Sequence, residues 1–187
     1  MRIKKVKHSE KESKILIEYE KQSKNENWDE FSMHCNDQAR PEFYLALKKL
    51  IPHLLKICEL PVSYMDNINI SSVSFSYGGE NDTMGATITG VKKLKDSHAP
   101  LVLNTPHKPE AAYSGEGGDE SNLLSEDCVR ALNELQREAV LYVQDERAQK
   151  NLFTAPSLRS GKTSKSGSSE PEATNSQPAA YGQHVFP

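Results

Sequence analysis

The sequence predicts an α+β domain, an antiparallel sheet with helices on one face in the order βββ–α–βββ–α, followed by a disordered polar tail. Three observations predict it. Apolar and polar residues alternate with period two over 13–20, 28–35 and 68–77, as in strands with one buried face. Two stretches, one opening at Pro41 and one after Ser125, change to helical spacing. From Thr154 onward, Ser, Pro, Gly, Thr and Ala dominate, and no apolar stripe could repay the entropy of ordering.

Residues 2–8 place Ile3, Lys5 and Lys7 against Lys4 and Val6, which reads as a short edge strand with its lysines in water. Ile15, Ile17 and Tyr19 alternate with Lys14, Leu16, Glu18 and Glu20 in a second strand. Asn25-Glu26-Asn27 supplies turn chemistry, and Trp28 to Cys35 resumes the alternation, with Phe31, Met33 and Cys35 on one face. Short connections make these three strands a meander. Pro41 fits a first helical turn, where its missing N–H costs nothing. Phe43, Leu47, Leu50, Leu54 and Ile57 then form an apolar stripe that Leu45 and Leu55 widen, and Pro52 kinks or splits the helix. Leu60-Pro61 ends it.

Ile68 to Tyr77 reads as the fourth strand, with Val73, Phe75 and Tyr77 on one face. Gly78-Gly79-Glu80-Asn81-Asp82 is a tight turn, and Met84, Ala86 and Ile88 mark the return strand. Val91-Lys92-Lys93-Leu94-Lys95 is the basic end of that hairpin. Pro100 to Asn104 is a sixth, shorter strand, and 105–122 a loop without periodicity. Ser125 is placed to cap the last helix, with Val129, Leu132, Leu135 or Gln136, Ala139 and Val143 as its apolar stripe and an end near Arg147. The boundaries are a single domain over 1–147, a short linker peptide over 148–153 and a tail over 154–187. An OB-like barrel is the competing architecture, because OB-folds also set a helix between the third and fourth strands.

The chain has 187 residues and a formal net charge of −3. The tail holds three basic and two acidic residues, so residues 1–153 carry −4, which argues against a charge-driven DNA coat while leaving room for a local basic face. No apolar run is long enough to span a bilayer. The basic start Met1-Arg2-Ile3-Lys4-Lys5 has no apolar core after it, so no secretory signal is expected. Cys35, Cys58 and Cys128 are odd in number and widely spaced, which suits reduced thiols and a cytoplasmic location.

Gln149-Lys150-Asn151-Leu152-Phe153, at the junction of helix and tail, has the form Gln-x-x-Leu-Phe. It resembles the pentapeptide by which bacterial and phage replication and repair proteins dock on the sliding clamp. The resemblance implies that Gln149 makes polar contacts at a groove rim while Leu152 and Phe153 fill an apolar pocket. Lys150 and Asn151 replace the commoner Leu and Ser or Asp, which implies a weaker ligand. Compact body, reduced cysteines, docking peptide and polar tail together resemble a phage or mobile-element accessory protein.

A second candidate surface is nucleic-acid binding: Lys92, Lys93 and Lys95, with Lys4, Lys5 and Lys7, for phosphates, and Tyr77 with Phe75 for stacking on bases. Sheet-edge solubility is the plainer reading of those lysines. No metal site is expected, since His34-Cys35 and His53 with Cys58 lack ligand spacing. Gly161-Lys162-Thr163 lacks the leading glycine of a phosphate loop, because Pro156 stands in its place. The acidic pairs Asp29-Glu30, Glu80 with Asp82, and Asp119-Glu120 have no assignable partner. The expectation is a non-enzymatic accessory protein of DNA replication or recombination, without cofactor, that docks on the sliding clamp. Single-stranded DNA binding by an OB-like domain and inhibition or scaffolding of another host protein are the alternatives.

Overall fold

In a computed structural model, residues 1–79, 81–111 and 120–148 are described. The chain divides after Asn151, and all of the described residues belong to the first unit, Met1–Asn151. The strands are β1 (Arg2–Ser9), β2 (Lys14–Gln22), β3 (Trp28–Cys35), β4 (Ile68–Gly78), β5 (Thr83–Lys92), β6 (Leu101–Asn104) and β7 (Lys108–Pro109). The helices are α1 (Pro41–Lys49), α2 (Ile51–Ile57) and α3 (Glu126–Val143). The α+β order is as the sequence predicts.

All strand pairs are antiparallel, in the order β3-β2-β1-β4-β5-β6, with β7 also on β5. The sheet is open: β3 and β6 stand at its two ends, and this sets aside the OB-like barrel. The first strand is not the expected edge. It lies between β2 and β4, and that central position is possible because its lysines project from the uncovered face while Ile3 and Val6 enter the core. Those two residues are an odd number apart, which an unbroken strand would send to opposite faces. A bulge between Ile3 and Lys5 brings them to one side. A second irregularity, between Ile70 and Ser72, does the same for Ile68 and Ile70 with Val73 and Phe75.

The covered face packs Ile15, Ile17, Val73, Met84 and Ile88 against Phe43, Leu50 and Leu54 of the first helices and Leu132, Leu135 and Ala139 of α3. The opposite face carries short hydroxyls in cross-strand rows, Lys5–Ser74–Thr87 and Lys7–Ser72–Thr89. Pro52 splits the first helical stretch as expected: it has no N–H for the Lys48 carbonyl, so the helix breaks at Leu50 and the bonding resumes with Leu54 N–H to Leu50 O at 2.9 Å. Leu45 does not widen the apolar stripe; it is 54% exposed.

Two further expectations change. The described residues within 105–122 hold structure: Thr105 is buried and its Oγ1 accepts the Ile88 N–H at 2.9 Å, β7 pairs with β5, and a 3-10 turn spans Glu120–Asn122. Here side-chain and main-chain bonding to β5 replaces the apolar periodicity that marks a longer element. The last helix stops at Val143, ahead of Arg147, because Asp145 takes a positive φ of 67°. Ser125 is its N-cap residue by position but makes no side-chain capping bond.

The end of α3 is fastened to the β3–α1 connection. Tyr142 Oη donates to Asp37 O at 2.6 Å, Arg147 pairs with Asp37 at 2.7 Å, and Ala148 N–H reaches Gln38 O at 3.0 Å. Beside them, Arg40 pairs with the buried Glu138 at 2.8 Å. No helix among the described residues is long and apolar enough to cross a membrane. The disorder expected for 154–187 concerns residues outside those described.

Candidate functional site

The ladder between β1 and β4 is short. It runs from Lys5–Ser74 through Val6–Val73 to Lys7–Ser72 and stops. Beyond it, His8 and Ser9 pair with β2 alone, and Ile68 to Ile70 pair with β5 alone. Past the irregularity after Ile70 the two strands no longer pair, and a groove lies in the fork. It consists of two cavities, of about 510 and 650 Å³, that share His8, Glu10, Asn69 and Ile70. The first lies towards α1, against Pro41, Tyr44, Leu45 and Ile51. The second is bordered by Lys7, Lys11 and Lys93, with Ser9, Ser71 and Val91. One side of the groove is thus mainly apolar, with Lys48 at its border, and the other carries three lysines.

His8 joins the two walls. Its ring meets Tyr44 edge-on, 5.2 Å between centroids, and Tyr44 Oη accepts the Ala39 N–H at 3.2 Å. Burial lowers the His8 pKa below its ordinary value, against the opposing pull of Glu10, so the ring is neutral at pH 7.

The structure brings only part of the expected basic surface together. Lys93 and Lys7 border the same cavity, joined by Lys11 from the β1–β2 turn, a residue that sequence spacing did not single out. Lys92 turns away and donates to the carbonyls of Tyr64 and Asp66 at 3.0 and 2.8 Å, with its ammonium 5.1 Å from the Tyr64 ring centre. Lys95 lies past the end of β5 in an exposed bend. Lys4 pairs with Glu20 at 3.1 Å and Lys5 with Glu18 at 3.8 Å. Tyr77 is half-buried: its Oη donates to Ile3 O and accepts from Gln136 Nε2, both at 3.0 Å, and Phe75 is in the core. The Tyr77 ring already has the Arg2 guanidinium 5.3 Å and the Lys4 ammonium 5.9 Å from its centre, while Lys92, Lys93 and Lys95 make no contact with it. Gln149, Leu152 and Phe153 lie outside the described residues; the last described residue, Ala148, borders the apolar cavity.

One polar pair elsewhere had no sequence signal. His107 lies across Gly85 and its Nε2 is 2.7 Å from Ser76 Oγ. A Cβ on Gly85 would overlap the imidazole, so the missing side chain is what lets the loop lie on the sheet. The three cysteines are unpaired thiols; Cys128 is buried, which pushes its pKa up to about 11 and makes it a poor nucleophile. Among the described residues no three His, Cys, Asp or Glu side chains converge on a metal position.

Burial also pushes Tyr77 up from 10.0 to about 12, and raises Tyr142. A folded-state pKa above the unfolded value favours the fold below the unfolded pKa, and that stabilisation is lost as pH rises through the folded one. Stability is therefore expected to fall between about pH 10 and 12, with Tyr77→Phe showing a shallower fall over that window. Urea midpoints measured from pH 9 to 12 check this; a flat or rising profile contradicts it.

Comparisons with protein-family descriptions, characterised proteins and solved structures return no match for this chain.

Proposed function

We propose that this protein is a non-enzymatic accessory factor of DNA replication or recombination that docks on the bacterial sliding clamp through Gln149, Leu152 and Phe153, in the cytoplasm of a bacterial host. The observation that supports the reading is where the last anchor of the described fold falls. Arg147 and Ala148 are tied to Asp37 and Gln38, and the Gln-x-x-Leu-Phe sequence begins at the next residue. A docking peptide that directly follows a fixed anchor is held at a defined place on the protein. Two apolar anchors and one amide are enough for a small hot spot.

The test is a titration of the full chain against a bacterial clamp, with a known clamp-binding peptide as competitor. Binding in the micromolar range is expected, with Gln149→Ala and Phe153→Ala each weakening it by about thirtyfold if they are hot-spot residues. Undiminished binding by both variants, or none by the parent chain, overturns the reading. Capture of a different host protein with the clamp ignored would favour the inhibitor or scaffold role.

A further inference from the structure

We propose that the fork between β1 and β4 is a docking groove for an extended peptide of a partner protein in which acidic and apolar residues alternate, and that this peptide adds to β4 at Ile68–Ser71. The main chain there has β5 on one side and no strand on the other, since the β1 ladder ends at Ser72; only the Ile68 N–H is already engaged, by Met65 O at 3.5 Å. An unpaired strand edge at the mouth of a groove recruits a peptide strand by main-chain hydrogen bonds.

The chemistry of the two walls fixes the sequence pattern. Successive side chains of an extended peptide point to opposite faces. In this fork one face meets the cavity formed with Tyr44, Leu45 and Ile51, and the other meets the cavity bordered by Lys7, Lys11 and Lys93. The shared Glu10 is the one carboxylate bordering either cavity, so the lysine wall is complementary to acidic side chains. Leu45, an apolar side chain 54% exposed on an otherwise amphipathic helix, gains an apolar contact. The cavities, about 510 and 650 Å³, are each large enough for several side chains. The proposal uses none of Gln149–Phe153 and does not rest on the clamp reading.

The test uses the full chain and two fluorescent hexapeptides of equal composition: Glu-Val-Glu-Leu-Glu-Val, which alternates, and Glu-Glu-Glu-Val-Leu-Val, which does not. The alternating peptide is expected to bind saturably, at least about tenfold more tightly than its isomer, and more weakly as salt is raised. Leu45→Glu and the pair Lys7→Glu with Lys93→Glu should each weaken it by about tenfold. All three positions are exposed, so unchanged thermal melts are expected to show that the fold is intact. Clamp binding should be untouched by Leu45→Glu, which separates failure of this site from failure of the proposed function. Equal affinity for the two peptides, absence of saturable binding, or indifference to Leu45→Glu overturns the proposal. Self-association that the peptide reverses would assign the fork to a second copy, and binding seen only after removal of residues 149–187 would assign it to the chain's own C-terminal residues. Displacement of the peptide by oligo-dT, with oligo-dT binding indifferent to Leu45→Glu, would assign the basic wall to nucleic acid. Each of these three also overturns it.

Discussion

Gly90→Val is expected to destabilise the fold by about 2–3 kcal/mol, seen as a lower urea midpoint at unchanged slope. Gly90 lies in β5 between Ile70 and Leu103, on the face that α2 covers. A Cβ there would overlap Leu54 Cδ2, and Leu54 is fully buried, so it has no open space to move into. The cost arises from displacing α2, because the interior is packed too closely to absorb the three carbons of an isopropyl group. Gly85→Ala is the control. Its Cβ would meet the exposed His107 ring and the Ser76 hydroxyl, and both can rotate away with the loss of the one hydrogen bond between them, about 1 kcal/mol. Equal losses for the two variants would show that close approach of the helix is not what Gly90 permits.

Arg40→Ala is expected to lower the unfolding midpoint at least about three times as far as Glu138→Leu. Glu138 is 3% exposed and accepts from Arg40 at 2.8 Å, with Arg137 at 3.7 Å. The hydrogen bond to Glu138 is the main reason that the Arg40 pKa is raised. Removing the guanidinium strands a carboxylate in a low-dielectric site with one distant partner. Replacing Glu138 by leucine removes the buried charge instead and leaves Arg40 free to meet water, a change expected within about 1 kcal/mol of the parent. Denaturation of both single variants and the double variant checks the asymmetry. If Glu138→Leu were the more damaging, the pair would be a net stabilising contact and not a solvation problem solved by Arg40.

Most elements were legible because they rest on local rules. Alternation found β2 to β5, Pro41 marked the start of α1, Pro52 broke the helical stretch, and Ser125 marked the start of α3, while its end, set by the backbone of Asp145, falls short of the expected Arg147. What period-two reading could not give was strand order. The sequence Ile3-x-x-Val6 is out of phase as a plain strand, and it makes sense only with a bulge, which has no residue signature here. With the bulge, β1 becomes a central strand and its lysines a property of the uncovered face. The groove was hidden for the same reason: it results from where two ladders end, and Lys7, Lys11 and Lys93 are brought together by pairing between strands far apart in the chain. Tyr77 misled because alternation tells which face a ring occupies, not that Gln136 will reach it from α3. The Gln149–Phe153 peptide, by contrast, was legible only as a sequence.

The strand order has a consequence for how the chain folds. Strands β1 to β3 form one local meander and β4 to β6 another, each joined by short turns whose closure costs little entropy. The two are united by the three residue pairs of the β1–β4 ladder and by the helices laid across them. Within each half the contacts are of low order and can form early and independently. The ladder joining them has a loop of more than sixty residues to close, and it is expected to be the slow event. The fork is then the visible remainder of that late joining, the place where two separately assembled halves meet over a short distance and part again.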